Sequence, residues 1–475
     1  MSSAQTVAKN TFYLFSSDVI GRIFSFLLII FIARKLGDYG FGEYSFAFSF
    51  VGLFAIFSDL GISTYLVREI AKDKKNIQKL FLDAFSLKLL LGLVTIIIPS
   101  VIILMLGKSL ETIIVVWMAS ISLFFGNYAL IFKALFQGNE RLGLYALIDL
   151  TERTTTFILG ITVLYLGFGI TTLFVVLIIS YLLSFVVGMI ITTKAYTKLR
   201  LTFNWKNWTR LIKESLPFWL TMLFMSIYFN IGNVILSKFA DFSVVGWYNA
   251  AYKIIYAVFF IPLVLTAVVF PTLSKFHAKE KNLQKLLFQK SFYYMVAVAV
   301  PLMIGGIFLA DKMITFAYGA EFMNAVPALK ILLCSIIFIF VNYLMGYLLN
   351  SINKQKIFMY TTMISTGINV ILNFLLIPKY SFIGASIAVV ATELINFIIL
   401  YYFINKYKFK MEIAKILLKP LISALIMLGV LWYFKETNII IMVGLGASTY
   451  FLIFYIVRGI GEDEIELAKK LIMRK

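Results

Sequence analysis

The sequence predicts an all-α polytopic membrane protein. It expects about fourteen transmembrane helices: two six-helix lobes related by a parallel repeat around a central cavity, plus two C-terminal helices. Three observations carry this reading. The chain is 61% hydrophobic and only 14% charged over 475 residues, whereas a soluble domain is roughly half apolar and a quarter charged. Its apolar residues fall in runs of spanning length, about 20 residues each. One stretch is written twice: RKLGDYGFGEYSFAFSF, from Arg34 to Phe50, returns as SKFADFSVVGWYNAAYK, from Ser237 to Lys253.

The apolar runs cover 10–32, 41–62, 81–106, 110–132, 145–166, 170–192, 214–236, 244–272, 288–310, 325–350, 356–377, 381–404, 416–434 and 438–458. The first follows a single Lys and has no small-x-small cleavage site, so it is expected to be retained. Most of the 43 Lys and Arg fall in one set of loops, including REIAKDKKNIQK, KALFQGNER, SKFHAKEKNLQK and NKYKFKMEIAKILLK. The opposite loops hold only Arg34, Lys35, Lys108, Lys238, Lys312, Lys379 and Lys435. The positive-inside rule then places both termini in the cytoplasm, in a multi-pass protein of the cytoplasmic (plasma) membrane. The net charge of +20 is therefore read as basic loops on an anionic membrane face, with no nucleic-acid partner. The sugar-acceptor triplet Asn207-Trp208-Thr209 falls inside the cell. Cys334, the only cysteine, allows no intrachain disulfide and is read as a packing residue.

The repeat aligns Gly42 with Gly246 at an offset of 204, which also places Tyr44 on Tyr248, Arg34 on Lys238 and Lys9 on Lys213. NIQKLFL at Asn76 and NLQKLLF at Asn282 continue it, and QGNERLGLYA and SINKQKIFMY echo it more weakly. Six spans separate matching points, so both copies enter the membrane in the same direction, as in transporters built from parallel repeats. A chance match between Tyr/Gly-rich junctions is the alternative. The expected domains are an N-terminal six-helix lobe at 1–200, a C-terminal six-helix lobe at 201–410, two extra helices at 411–460 and a cytoplasmic amphipathic tail at 461–475. That tail has acids in its first turn and bases in its last, as the helix dipole favours.

Enzyme chemistry finds little support. No GxxxxGK[ST] phosphate loop occurs, His277 is the only histidine, and no metal-ligand cluster or cofactor site is expected. The loops are far below domain size, so the chain is read as a transporter and not an enzyme.

What remains is charge at membrane depth, where each charge costs roughly 2.5–3.5 kcal/mol on insertion scales unless it meets a cavity or a partner. Asp18 and Arg22 are four apart and can pair on one helical face. Asp149, Glu152 and Arg153, in LIDLTERTTT, also share a face. Lys253 lies deep in the eighth span, with Tyr248, Tyr252 and Tyr256 at four-residue spacing. Arg22, Arg153 and Lys253 would make a net basic interior suited to a diphosphate. Asp18, Asp59, Asp149, Glu152 and Glu393 are the candidate cavity or coupling carboxylates. Na⁺ or H⁺ coupling through Glu393 or Asp59 stays open beside a structural role. Asp83 and Lys88 are expected near the cytoplasmic end, with Lys88 snorkelling to the interface.

The chain resembles the polysaccharide-unit flippases of the multidrug/oligosaccharidyl-lipid/polysaccharide exporter superfamily. The carrying stretches are AKNTFYLFSSDVIGRIFSFLLIIFIARKLGDYGFGEYSFA, SDLGISTYLVREIAKDK, ALFQGNERLGLYA, VVGWYNAAYKI, LLNSINKQKIFMY and EDEIELAKKL, and together they cover essentially the whole chain. The resemblance implies two six-helix lobes in a V with two extra helices, and alternating access. It implies export of a polyprenyl- or dolichyl-diphosphate-linked oligosaccharide from the cytoplasmic to the outer leaflet, for cell-surface polysaccharide or glycoconjugate synthesis. The first and eighth helices, which carry Arg22 and Lys253, would flank a portal to the lipid. Expected partners are the lipid-linked glycan, membrane lipids and glycan-assembly enzymes. A cation-coupled multidrug antiporter of the same superfamily and a membrane-embedded glycan polymerase are the alternatives.

Overall fold

An unbroken α-helix of 53 residues would run about 80 Å at 1.5 Å per residue, far beyond a hydrocarbon core of about 30 Å. The first helical stretch, α1 (Ser3–Ala55), has that length but is broken at Gly37, where φ is 68° and ψ −175°. Glycine enters this region without a Cβ penalty. The protein is described here by a computed structural model, which covers residues 3–72 and 77–459. The expected tail at 461–475 lies outside the described residues. A second long stretch, α13 (Gln355–Lys406), is broken at Ser381, with φ 52°. A Cβ on Gly384 would lie 2.4 Å from Leu376 O, so the glycine is what lets the two arms close on each other.

Every regular element among the described residues is helical. After α1 come α2 (Ile62–Lys72), α3 (Ile77–Met105), α4 (Leu110–Gly138), α5 (Leu142–Tyr165), α6 (Ile170–Ala195) and α7 (Trp205–Phe239). Then follow α8 (Phe242–Val258), α9 (Phe260–Lys279), α10 (Lys281–Tyr318), α11 (Val326–Leu333), α12 (Ile336–Ser351), α13, α14 (Ile413–Tyr433) and α15 (Ile439–Ile456). Ser109, Asn204 and Asn438 cap α4, α7 and α15 by accepting from backbone N–H groups of their first turns, which satisfies donors left open at a helix start. Ten described segments are long and apolar enough to cross a membrane, α8 and α9 forming one of them, and the bent pair ending in α12 makes eleven. Counting α1 and α13 as two arms each, and adding α5 with its three charges, gives the fourteen segments expected.

The chain divides into two compact units, Met1–Asn249 and Ala250–Lys475. Unit 1 has its core where α2, α3 and α4 meet, around Phe81, Phe85, Tyr128 and Phe132, with Trp208 and Leu211 of α7 closing it. It reaches residue 249 because α7 and the start of α8 lie against the second arm of α1. Ser226 Oγ donates to Gly52 O at 2.9 Å, and Asn233 Nδ2 to Ser49 Oγ at 2.7 Å. Such small and polar residues are the usual contacts between helices in lipid.

Here the two copies of the repeat touch. A Cβ on Gly42 would lie 1.7 Å from Phe242 O, and one on Gly246 2.1 Å from Asp38 O. At the offset of 204, Asp38 corresponds to Phe242, so the two contacts are each other's counterparts. Asp38 fastens the joint by accepting from Trp247 Nε1 at 2.8 Å and Ser243 Oγ at 3.2 Å. We expect Gly42→Ala to push α1 and α8 apart and to cost about 1–3 kcal/mol or more. Gly444→Ala, whose Cβ would meet nothing within 4 Å, is the control. Melting of the purified protein in detergent checks both.

Unit 2 is built on α10. Tyr450 OH of α15 donates to Ala297 O of α10 at 2.5 Å, and Met427 of α14 packs on Gly305. The two last helices are therefore integral to this unit. In both units large apolar side chains face outward, Met105, Val268 and Ile441 among them, as a lipid solvent requires.

Candidate functional site

The charged residues of α5 meet a partner that sequence reading placed elsewhere. Asp149, Glu152 and Arg153 lie one turn apart on one face of α5, as their three- and four-residue spacing dictates. Lys133 of α4 reaches between the two acids, with Nζ 2.9 Å from Asp149 Oδ1 and 3.1 Å from Glu152 Oε2. The sequence put Lys133 in a basic cytoplasmic loop. Instead α4 continues to Gly138 and buries Lys133 to 5% exposure. Its position at the end of an apolar run hid it, and its partners sit on another helix.

Arg153 closes the cluster against α1. Its Nε lies 2.8 Å from Asp149 Oδ2 but off the N–H axis, so the contact is an ion pair without a directed hydrogen bond. Its other guanidinium N–H groups bond to no described residue. The arginine stem crosses Gly21 of α1, where a Cβ would come within 2.0 Å of Arg153 Cδ. The next residue, Arg22, pairs with Asp18 at 2.8 Å, both about a third exposed. Phe24 stacks on Phe157 with centroids 4.5 Å apart, which holds the two helices in this register. Glu152 and Arg153 also line a cavity of about 230 Å³ between α1, α5 and α6, with Thr156 and Tyr181.

The cluster thus gathers five of the sequence-predicted residues: Asp18, Arg22, Asp149, Glu152 and Arg153. With Lys133 it has three bases and three acids, so this interior is balanced where the sequence implied a net basic one. The other predicted residues lie apart. Asp59 ends a 3₁₀ turn after α1 and accepts from Lys88 Nζ at 2.5 Å. Lys88 also donates to Ser63 Oγ and Asn127 O, each at 2.9 Å, which uses all three of its donors. At 1% exposure it does not snorkel as the sequence implied; a fixed carboxylate and two fixed oxygens hold it inside. Asp83 is likewise internal, accepting from Thr202 Oγ1 and Asn207 Nδ2. The sequence also passed over Glu43, a buried acid of α1 that accepts from Thr112 Oγ1 at 2.6 Å.

In unit 2, Glu393 of α13 accepts from Asn342 Nδ2 at 2.8 Å. Lys253, in the third turn of α8, is half-buried and forms no ion pair or side-chain hydrogen bond with a described residue. Tyr248, one turn before it, is buried, and Tyr256 is exposed. Among the described residues no three His, Cys, Asp or Glu side chains are placed to hold a metal ion.

Comparison with known proteins agrees with this picture. The chain is 24% identical over 438 residues to a probable low-salt glycan biosynthesis flippase, Agl15, of Haloferax volcanii, covering 90% of each chain. It is 23% identical to the capsular polysaccharide biosynthesis protein CapF of Staphylococcus aureus, over 84% of this chain and all of that one. Among solved structures, the lipid II flippase MurJ in an inward closed conformation superposes with a TM-score of 0.78 at 20% identity, over 94% of this chain and 98% of that one. The protein therefore has the MurJ fold and is a multi-pass membrane protein of the transporter type. The MatE family matches residues 217–375. The family described as polysaccharide biosynthesis protein matches residues 7–277, more than half of the chain, and the chain belongs to that family.

Proposed function

We propose that this protein flips a polyprenyl- or dolichyl-diphosphate-linked oligosaccharide from the cytoplasmic to the outer leaflet of the plasma membrane. It does so by alternating access of two six-helix lobes, 1–200 and 201–410. The helices at 411–460 and the tail at 461–475 complete a chain whose termini are both cytoplasmic. The glycan head travels in a polar cavity while the lipid tail stays in the membrane, and glycan-assembly enzymes supply and consume the substrate.

The observation that carries the substrate class is Lys253. A cation at membrane depth costs roughly 2.5–3.5 kcal/mol, and no described carboxylate offsets this one. An anionic ligand would. Arg22 and Arg153 contribute less, because Asp18 and Asp149 already compensate them. Coupling to Na⁺ or H⁺ falls to Glu393 or Asp59; Asp59 is held by Lys88 at 2.5 Å.

Lys253→Ala is expected to lower flipping about tenfold or more, the loss of one charge-assisted hydrogen bond to phosphate. Arg22→Ala should have a smaller effect. Membrane levels should stay normal in both, and the rate is read from exposure of the glycan to an impermeant reagent. Normal flipping in the double variant would remove these residues from the diphosphate site.

A further inference from the structure

Unit 2 carries a cavity that the transport reading does not use. It holds about 1030 Å³ between the ends of α10, α13, α14 and α15. Its wall is basic: Lys285 comes from α10, Lys410, Lys415 and Lys419 from the α13–α14 connection and the start of α14, and Arg458 from just past α15. The one acid among the described lining residues, Glu412, is occupied by Lys415 at 2.5 Å. Backbone ties hold the walls in place without neutralising them. Lys419 Nζ donates to Arg458 O at 2.7 Å, fixing the end of α15 to α14. Gln289 Nε2 donates to Lys410 O at 2.8 Å, fixing the connection to α10. Asn405 Oδ1, at the same wall, is buried with no hydrogen-bond partner among the described residues.

Tyr402 and Leu418, the sequence neighbours of the lining residues Tyr401 and Lys419, and Tyr455, three residues before Arg458, are all more than half exposed and apolar in body. A basic pocket between transmembrane helices that opens onto lipid-facing side chains suits a phosphate group with acyl chains attached. A free phosphate would use the bases and leave the apolar strip unused. We infer that this cavity binds the head group of an anionic phospholipid, with its chains along α14 and α15. All the residues that line the cavity belong to unit 2.

The test is native mass spectrometry of the delipidated full-length protein with phosphatidylglycerol or phosphatidylcholine. The wild type is expected to hold phosphatidylglycerol at least tenfold more tightly. The triple variant K285Q/K410Q/R458Q should lose that preference, and K285R/K410R/R458K should keep it, with unchanged melting in lipid-free detergent. Equal binding of the two lipids by the wild type would overturn the inference. So would an undiminished preference in the triple glutamine variant, or displacement by inorganic phosphate at the lipid's own concentration. Binding seen only after removal of residues 462–475, which open with the acids Glu462, Asp463, Glu464 and Glu466, would give the cavity to that segment and also overturn it.

Discussion

Lys88→Met is expected to destabilise the protein by about 3–5 kcal/mol, the usual effect of removing one partner of a buried ion pair. Lys88 is 1% exposed and spends its three donors on Asp59 Oδ1, Ser63 Oγ and Asn127 O. These lie on the turn after α1, on α2 and on α4, so one ammonium group joins three elements to α3. Its loss leaves the Asp59 carboxylate with only the Ser63 hydroxyl at 2.5 Å and the Ser63 N–H at 3.4 Å. Removing both charges, as in Asp59→Asn/Lys88→Met, should recover most of the stability. The coupling between the two positions, read from melting in detergent, should be at least about 1 kcal/mol. Additive losses would mean that the pair is not the reason Lys88 is buried.

Lys133→Met should have an effect of similar size, about 3–5 kcal/mol, and a different remedy. Lys133 serves two acids at 2.9 and 3.1 Å. Without it Asp149 keeps Arg153, but Glu152 has no base within 4 Å among the described residues. The rescuing change is therefore Glu152→Gln and not Asp149→Asn. Asp149→Asn in the Lys133→Met background would release Arg153 as well and should make matters worse. If both rescues behave alike, the cluster is a diffuse charge field and not the directed chain the geometry describes.

Much of the fold could be read from the chain because bilayer thickness sets the length of an apolar run. The fourteen runs reappear as fourteen helical segments, including those joined at Gly37 and Ser381. The repeat was legible as a likeness between Gly42 and Gly246, but not as a contact. Similarity of two stretches says that they are equivalent, and only packing says that the equivalents meet. The charged site was half legible. Spacing alone places Asp149, Glu152 and Arg153 on one face, and Asp18 beside Arg22. Lys133 and Lys88 were misplaced for one shared reason: their partners lie on other helices, at sequence separations of 16 to 29 residues. A lysine near the end of an apolar run looks the same whether it snorkels or is buried on a carboxylate. The glycine at position 21 was the one available signal that something large crosses α1 there.

The most direct test of the account is the sidedness of lipid-linked oligosaccharide in cells lacking this gene, read by exposing intact cells to a reagent that cannot cross the membrane. The account predicts that the glycan accumulates on the cytoplasmic leaflet, protected from the reagent, and becomes accessible again when the wild-type gene is restored, and about tenfold or more slowly when Lys253→Ala replaces it. Glycan fully accessible in the deletion strain, with no second flippase present, would contradict it.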